Sequence, residues 1–376
     1  MQNIFNINEG RLILSINQII RNIGFSILTL FIPIYLLTIG FSINQVLLYF
    51  LFEAISIILF SPLSLIFSKK FGYKYILLFN LILVLIWLIF LNLIPIIRNS
   101  IYLIAIIAGI EIAFYYLPLN SSIARNAKKE ENKNHFDKYN AFSRLSYLIG
   151  PIFGGIIFLN MGFDILIYIT MFFLILSALP ILYLKNHLPN HNISIKRVYQ
   201  LYKTHKNYFF ACIFNNIFLY AEAIIWPIYL FYNLKFTIIN IGFSGALFGF
   251  GSIIFSLIFE NLDKKRDKYI FLKIGGILYI LIWISRIYFT SSISAYLLST
   301  LAGLATAMIA IPFIGITYSK AEEEDIEDFL FFKEIPVFIG RIILLITIIF
   351  LADKFIIAFV LSALATLGFV LMKLRK

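Results

Sequence analysis

Apolar residues run along this chain in long blocks separated by short polar breaks, and the strict apolar and polar alternation of half-buried strands is absent. A membrane-crossing helix needs about 20 mostly apolar residues. Twelve blocks meet that length, at about 11–37, 43–67, 75–97, 101–123, 139–159, 164–184, 207–232, 241–259, 269–289, 293–318, 335–351 and 354–374. The fifth opens on Arg144 and the eleventh carries Arg341, so these two are the least apolar. The pattern predicts an all-α membrane protein with twelve transmembrane helices. One polar stretch, 185–206, divides them six and six, with Pro189, three of the four histidines and five basic residues. The expected organisation is an amino-terminal six-helix bundle over 1–184, a cytoplasmic linker over 185–206 and a carboxyl-terminal six-helix bundle over 207–376.

The two halves resemble each other. Pro33-Ile34-Tyr35-Leu36 in span one recurs as Pro227-Ile228-Tyr229-Leu230 in span seven, 194 residues later. Lys74-Tyr75-Ile76-Leu77-Leu78 opens span three, and Lys268-Tyr269-Ile270-Phe271-Leu272 opens span nine at the same offset. Gly109 and Pro118 in span four match Gly303 and Pro312 in span ten, again by 194, and Ile149-Gly150 matches Ile339-Gly340 by 190. With an even number of spans in each half, the halves share an orientation and are related by an axis along the membrane normal.

Composition agrees with the pattern: 61% of residues are hydrophobic and 13% are charged, about half the charge of a soluble domain. Lys and Arg number 31 against 19 Asp and Glu, a net charge of +12. That excess alone fits nucleic acid, an anionic ligand or the inner face of a membrane, and its distribution selects the last. With the amino terminus inside, the inner loops and the carboxyl tail hold 22 basic residues and the outer loops hold three, Arg98, Lys235 and Lys354. Basic residues collect on the cytoplasmic side. Both termini are therefore expected in the cytoplasm, in a multi-pass protein of the cell membrane with no nucleic-acid partner. The first apolar block is long for a signal peptide and reads as a retained span. Cys212 stands alone and offers neither a disulfide nor a metal cluster.

Span five carries Gly150-Pro151-Ile152-Phe153-Gly154-Gly155. Small residues at that spacing let helices approach closely, and the proline removes one backbone donor. Twelve spans, two parallel halves and this glycine-proline run resemble the major facilitator superfamily of secondary transporters, whose drug antiporters and related exporters carry such a motif in span five. The family's preceding glycine is Ser146 here. The family's loop between spans two and three survives as Phe71-Gly72, with Lys69 where the family has aspartate, Lys70 at the arginine, and Tyr73 and Lys74 at the basic pair. The resemblance implies that spans one, four, seven and ten line a central cavity. It also implies gating and inter-half roles for Gly150, Pro151, Gly154, Gly155, Arg341, Lys69, Lys70 and Gly72. Arg144 and Glu334, at equivalent places of the repeat 190 residues apart, are expected as inner-gate or inter-half contacts, with snorkelling to the interface as the alternative.

Ionisable groups inside a span are costly and by default functional. At about 1.5 Å per residue, Arg21, Glu53 and Glu111 lie roughly 15 Å deep. Glu222 lies in the outer half of span seven with no evident cation at its depth, and Arg286, near the outer end of span nine, is expected to snorkel. Span one has a polar stripe containing Gln18 and Asn22; span four continues Glu111 with Tyr115; span seven places Asn215, Glu222 and Trp226 on one face. These residues form the expected substrate or proton site: Arg21, Glu53, Glu111, Glu222, Gln18, Asn22, Tyr115, Asn215 and Trp226. The alternative is that Arg21 with Glu53 or Glu111 is a permanent buried ion pair. The acidic run 322–328 is expected to be a solvated loop capping span eleven.

An enzyme is not indicated. All four histidines lie in loops, so Gly242-Phe243-Ser244-Gly245 has no membrane-buried base to make it an intramembrane protease, and no phosphate-binding Gly-Lys-Ser/Thr loop implies ATP. The expected protein is a monomeric secondary transporter without a cofactor, moving a small molecule by alternating access, coupled to protons and exporting. The alternatives are a lipid or lysolipid translocase on the same scaffold and a non-transporting sensor or assembly factor.

Overall fold

A computed structural model describes residues 2–127, 134–189, 195–261, 268–351 and 353–372; for 2–9, 11, 126, 127, 134–145, 195, 260, 261 and 268 it describes the backbone alone. Helix dominates and no strand occurs among the described residues. Span one is α1 (Gln2–Leu28), a 3-10 turn (Thr29–Phe31) and α2 (Ile32–Thr38). Then come α3 (Ile43–Phe71), α4 (Tyr73–Leu93), α5 (Ile101–Ala127), α6 (Asn134–Met161) and α7 (Phe163–Leu182). A short helix, α8 (Ile195–Thr204), leads into span seven: α9 (Lys206–Tyr220), a π-helical turn (Ala221–Ile225) and α10 (Trp226–Tyr232). The chain closes with α11 (Ile238–Asn261), α12 (Lys268–Tyr288), α13 (Ser292–Glu323), α14 (Ile326–Phe350) and α15 (Lys354–Leu371).

Ten helical stretches among the described residues are long and apolar enough to cross a membrane. The other two expected spans are those marked by charge in the sequence. Within α6 only Ser146–Met161 is an apolar described segment, and α14 carries Lys333, Glu334 and Arg341.

Local chemistry sets the helix ends. Ser42 and Gln45 form a reciprocal capping box at the start of α3: the Gln45 amide N–H donates to the Ser42 hydroxyl at 3.3 Å and the Ser42 N–H to the Gln45 side chain at 2.9 Å. The α3–α4 and α6–α7 turns are single glycines, Gly72 and Gly162, both at φ 87°, a conformation that costs a side chain. Ser291 and Asp325 cap α13 and α14 by accepting from the backbone N–H three residues on.

Helix packing reproduces the sequence repeat. In the first half α1 packs on α6 and α7, α5 on α3 and α4, and α4 on α7. In the second half α9 packs on α14 and α15, α13 on α11 and α12, and α12 on α15, which is the same set shifted by six spans. The halves meet through α6 against α11 and α3 against α14, again a pair exchanged by that shift. Close approach in each half uses the repeated glycines. A Cβ on Gly109 would lie 2.5 Å from the Glu53 carbonyl oxygen in α3, and one on Gly303 would overlap the Phe248 carbonyl in α11. Spans one and seven are both interrupted just before their repeated proline, with Pro33 and Pro227 in the first turn of α2 and α10. Proline suits that position because it needs no donor there.

The glycine-proline run of α6 lies on two contacts. Added Cβ atoms on Gly150 and Gly154 would overlap Ser26 and the Ile27 carbonyl of α1, and one on Gly155 would lie 3.1 Å from the Ile238 carbonyl of α11. Opposite it, Gly242, Gly245 and Gly249 share one face of α11 at helical spacing. A Cβ on Gly242 would overlap the Pro151 carbonyl, and one on Gly249 would meet the Tyr147 carbonyl that Pro151 cannot hydrogen-bond. The small residues around Ser244 are thus explained by close helix packing.

Candidate functional site

Between the halves lies a cavity of about 390 Å³, within the size range of small-molecule sites. Its walls come from spans one, four, seven and ten, together with α3, α4, α6 and α11. Three carboxylates reach it, Glu53 from α3, Glu111 from α5 and Glu222 from the π-helical turn. Trp226 and Pro151 also line it. Span ten, apolar in outline, contributes Ser299, whose hydroxyl accepts from Trp226 Nε1 at 3.0 Å and lies 2.7 Å from the Ser244 hydroxyl.

Glu111 and Glu222 are each neutralised by an arginine placed behind the cavity wall. Arg21 Nη2 donates to Glu111 Oε2 at 2.7 Å and Nη1 donates to Asn80 Oδ1 at 3.1 Å. Asn80 Nδ2 returns a bond to the Glu111 backbone carbonyl at 2.7 Å, so the pair is braced by α4. The Arg21 guanidinium lies 3.7 Å from the Tyr115 ring centre, and the Tyr115 hydroxyl donates to Asn17 Oδ1 at 2.9 Å. In the second half Arg286 is bidentate on Glu222, Nη1 to Oε2 at 2.7 Å and Nη2 to Oε1 at 2.9 Å, and the Tyr279 hydroxyl donates to the same Oε2 at 2.9 Å. Arg286 is fully buried, sandwiched at 3.8 Å from Trp226 and 4.5 Å from Trp283.

The snorkelling Arg286 and the cation-free Glu222 expected from the sequence are therefore corrected: Arg286 turns inward because two tryptophans and a carboxylate replace its water. Trp283, one helical turn before Arg286, was the available signal. Asn80 carried no charge to mark it and was missed.

Glu53 differs. No ion pair within 4.0 Å joins it to a described cation, and the nearby positive group is Arg341 of α14, which acts through space. Arg341 stacks on Tyr220 at 4.8 Å and Phe338 at 4.7 Å. Gln18, Asn22, Tyr115 and Asn215, predicted with the site, lie outside the cavity wall. Asn22 and Asn215 are buried, Gln18 is half-buried, and Tyr115 serves the Arg21 network.

At the end of the molecule where the linker sits, a second cluster joins the halves. Glu327 of α14 is buried; its Oε1 accepts from the Tyr73 hydroxyl at 2.6 Å and from Arg125 Nε. Arg197 of α8 donates to Glu324 at 2.6 Å, with His205 3.1 Å from the same carboxylate. The linker also straps the α3–α4 turn: Asn186 Nδ2 donates to the Phe71 carbonyl at 2.9 Å and Tyr73 N–H to the His187 carbonyl at 3.2 Å.

This arrangement departs from expectation. The acidic run caps α14 as foreseen, but Glu324 and Glu327 are tied into contacts instead of lying in water. Glu334 pairs with its own neighbour Lys333 at 3.6 Å, Lys69 and Lys70 are exposed, and Gly72 packs on Asn186. The side chain of Arg144 lies outside the described residues. Among the described residues, bonds between the halves at this end come from Tyr73, Arg125 and Glu327; the sequence marked Tyr73 only as part of an altered loop and Glu327 only within the acidic run, and assigned Arg125 no role beyond its charge.

The chain matches the profile of the Major Facilitator Superfamily over residues 14–327. No curated protein sequence matches it. Among solved structures it is similar to the human organic anion transporter MFSD10 (TETRAN), with a TM-score of 0.67 and 11% identity over 96% of this chain and 99% of that one. It is also similar to a bacterial homologue of the iron transporter ferroportin in an outward-facing state, with a TM-score of 0.66 and 13% identity over 96% and 98% of the two chains.

Proposed function

The chain belongs to the Major Facilitator Superfamily, a membership that implies membrane transport, and from that premise we propose that it is a secondary active transporter that moves a small molecule by alternating access, coupled to protons and running as an exporter. The bundles 1–184 and 207–376 rock about the cavity, joined by 185–206, with both termini in the cytoplasm. The single observation that carries the reading is the cavity between the halves with one carboxylate, Glu53, that lacks a paired arginine. A carboxylate in such a place is able to take up a proton facing one side and release it facing the other. The arginine-bound Glu111 and Glu222 serve as fixed structural charges.

Export is supported by the glycine-proline run at the α6–α11 contact and orientation by the 22 basic residues expected on the inner side. A non-transporting sensor needs neither a cavity nor an unpaired internal acid. The anion in the name of one structural neighbour is not carried over, because this cavity wall holds three carboxylates and no basic side chain among its described residues.

The test is reconstitution into liposomes loaded with a pH-reporting dye and challenged with a panel of aromatic cations, anions and neutral compounds. At least one compound moves protons through the wild type and none does so through Glu53→Gln. Unchanged coupling in Glu53→Gln sinks the assignment of the proton site.

A further inference from the structure

The charge and surface of the cavity wall identify what it holds. Glu111 and Glu222 contribute nothing net, since Arg21 and Arg286 sit behind them, 3% and 0% exposed, and do not reach the cavity. Glu53 remains as the one carboxylate of the wall with no arginine within ion-pair distance; Arg341, which acts on it through space, lies outside the lining. The rest of the wall is aromatic and aliphatic. Tyr116 and Tyr147 line this space from α5 and α6 and remain 39% and 43% exposed; Trp87 closes it from α4. Ring faces and one carboxylate in a partly dry space attract a cation whose charge is spread over an apolar body.

From this we infer that the cavity binds a monovalent amphiphilic organic cation, its positive centre at Glu53 and its apolar body against Tyr116, Tyr147 and Trp87. The inference rests on reading the cavity as the transport site. An organic anion would meet the unpaired Glu53 carboxylate and no basic side chain among the described residues of the wall. A bare metal ion would need several ligands around one point, and no group of three metal-ligating side chains exists among the described residues. Cation and proton would share Glu53, so that loading one expels the other, which supplies the exchange that the proposed function requires.

The experiment uses a pair of probes equal in shape and opposite in charge. Tetraphenylphosphonium binding to the full-length protein in nanodiscs is measured by quenching of tryptophan fluorescence, with Trp87 and Trp226 in the cavity wall as reporters. Saturable binding is expected for tetraphenylphosphonium and not for tetraphenylborate titrated in a separate sample, and Mn²⁺ does not displace the bound cation. Glu53→Gln weakens it by about tenfold or more, as loss of one close charge in a low-dielectric space implies, and Tyr147→Leu weakens it without touching a charge. Glu53→Asp restores most of it. Equal saturable binding of tetraphenylborate in its own titration, displacement by Mn²⁺, or wild-type affinity in Glu53→Gln overturns the inference. Should Glu53→Gln fail to fold, the two isosteric probes on the wild type still decide. A Glu53-dependent cation site without proton-driven flux of any compound would overturn the transport reading and keep this one; proton-driven flux without a cation site would do the reverse.

Discussion

Arg286 and Glu222 face each other in a two-toothed ion pair, 2.7 and 2.9 Å, with the guanidinium held between Trp226 and Trp283 and no exposed surface. Removing one partner of such a pair leaves a buried charge and costs about 3–5 kcal/mol. Arg286→Met is expected to lower the thermal unfolding midpoint in nanodiscs sharply, and Glu222→Gln added to it is expected to recover much of the loss. Additive losses in the double variant would refute the pairing.

The three cavity carboxylates separate by the same reasoning. Glu111→Gln weakens the partner of buried Arg21 and is expected to destabilise the protein by a few kcal/mol. Glu53→Gln strands no bonded partner, so its unfolding midpoint stays near that of the wild type while proton coupling is lost. Melting curves and dye-loaded liposomes on the same two variants read both quantities, and a Glu53 variant that melts early with coupling intact reverses the assignment.

Much of this was legible in the sequence and part was not. Ten of the expected spans, the 194-residue repeat and the presence of Glu53, Glu111 and Glu222 in one cavity follow from position along each helix, which hydropathy and the residue count report well. The partners of those acids do not follow, because a partner depends on which neighbouring helix a face meets. Arg286 was assigned to the interface from its distance to a helix end, although the two tryptophans that enclose it come from different spans. Asn80 bonds to Glu111 from a span that shows no polar stripe. The Glu327 contacts join residues 202 and 254 positions apart, beyond any local pattern.

The α6–α11 contact has no room for a side chain at Gly242, where a Cβ would overlap the Pro151 carbonyl. Gly242→Val is expected to cost about 1–3 kcal/mol, the usual penalty of overpacking, and to abolish flux. Gly245→Ala meets the flexible end of Leu30 and should be milder in both assays. Equal tolerance of the two substitutions would show that the halves do not pack as described.

The bonds on Glu327 join the halves at one end of the molecule, and a cysteine reporter in the cavity tests whether they control access to it. Cys212 is fully buried and is the single native cysteine, so Thr29→Cys, at an exposed position of the cavity wall, gives a reporter with little background. Adding Glu327→Gln is expected to raise the rate of labelling by a charged thiol reagent supplied at the linker end. An unchanged rate would mean that Tyr73, Arg125 and Glu327 do not control access.

In the proposed alternating-access cycle, Tyr73 and Arg125 on one oxygen of Glu327 would set the scale of the balance between the two arrangements. Two charge-assisted hydrogen bonds contribute roughly 3–6 kcal/mol, with the share of half-exposed Arg125 reduced by water. Inverting a population from 1:99 to 99:1 takes about 5.5 kcal/mol of differential binding. After that reduction the two bonds supply part of the difference, so in the proposed cycle a ligand that prefers the other arrangement works against them, and a substitution at Glu327 shifts the balance with no ligand at all.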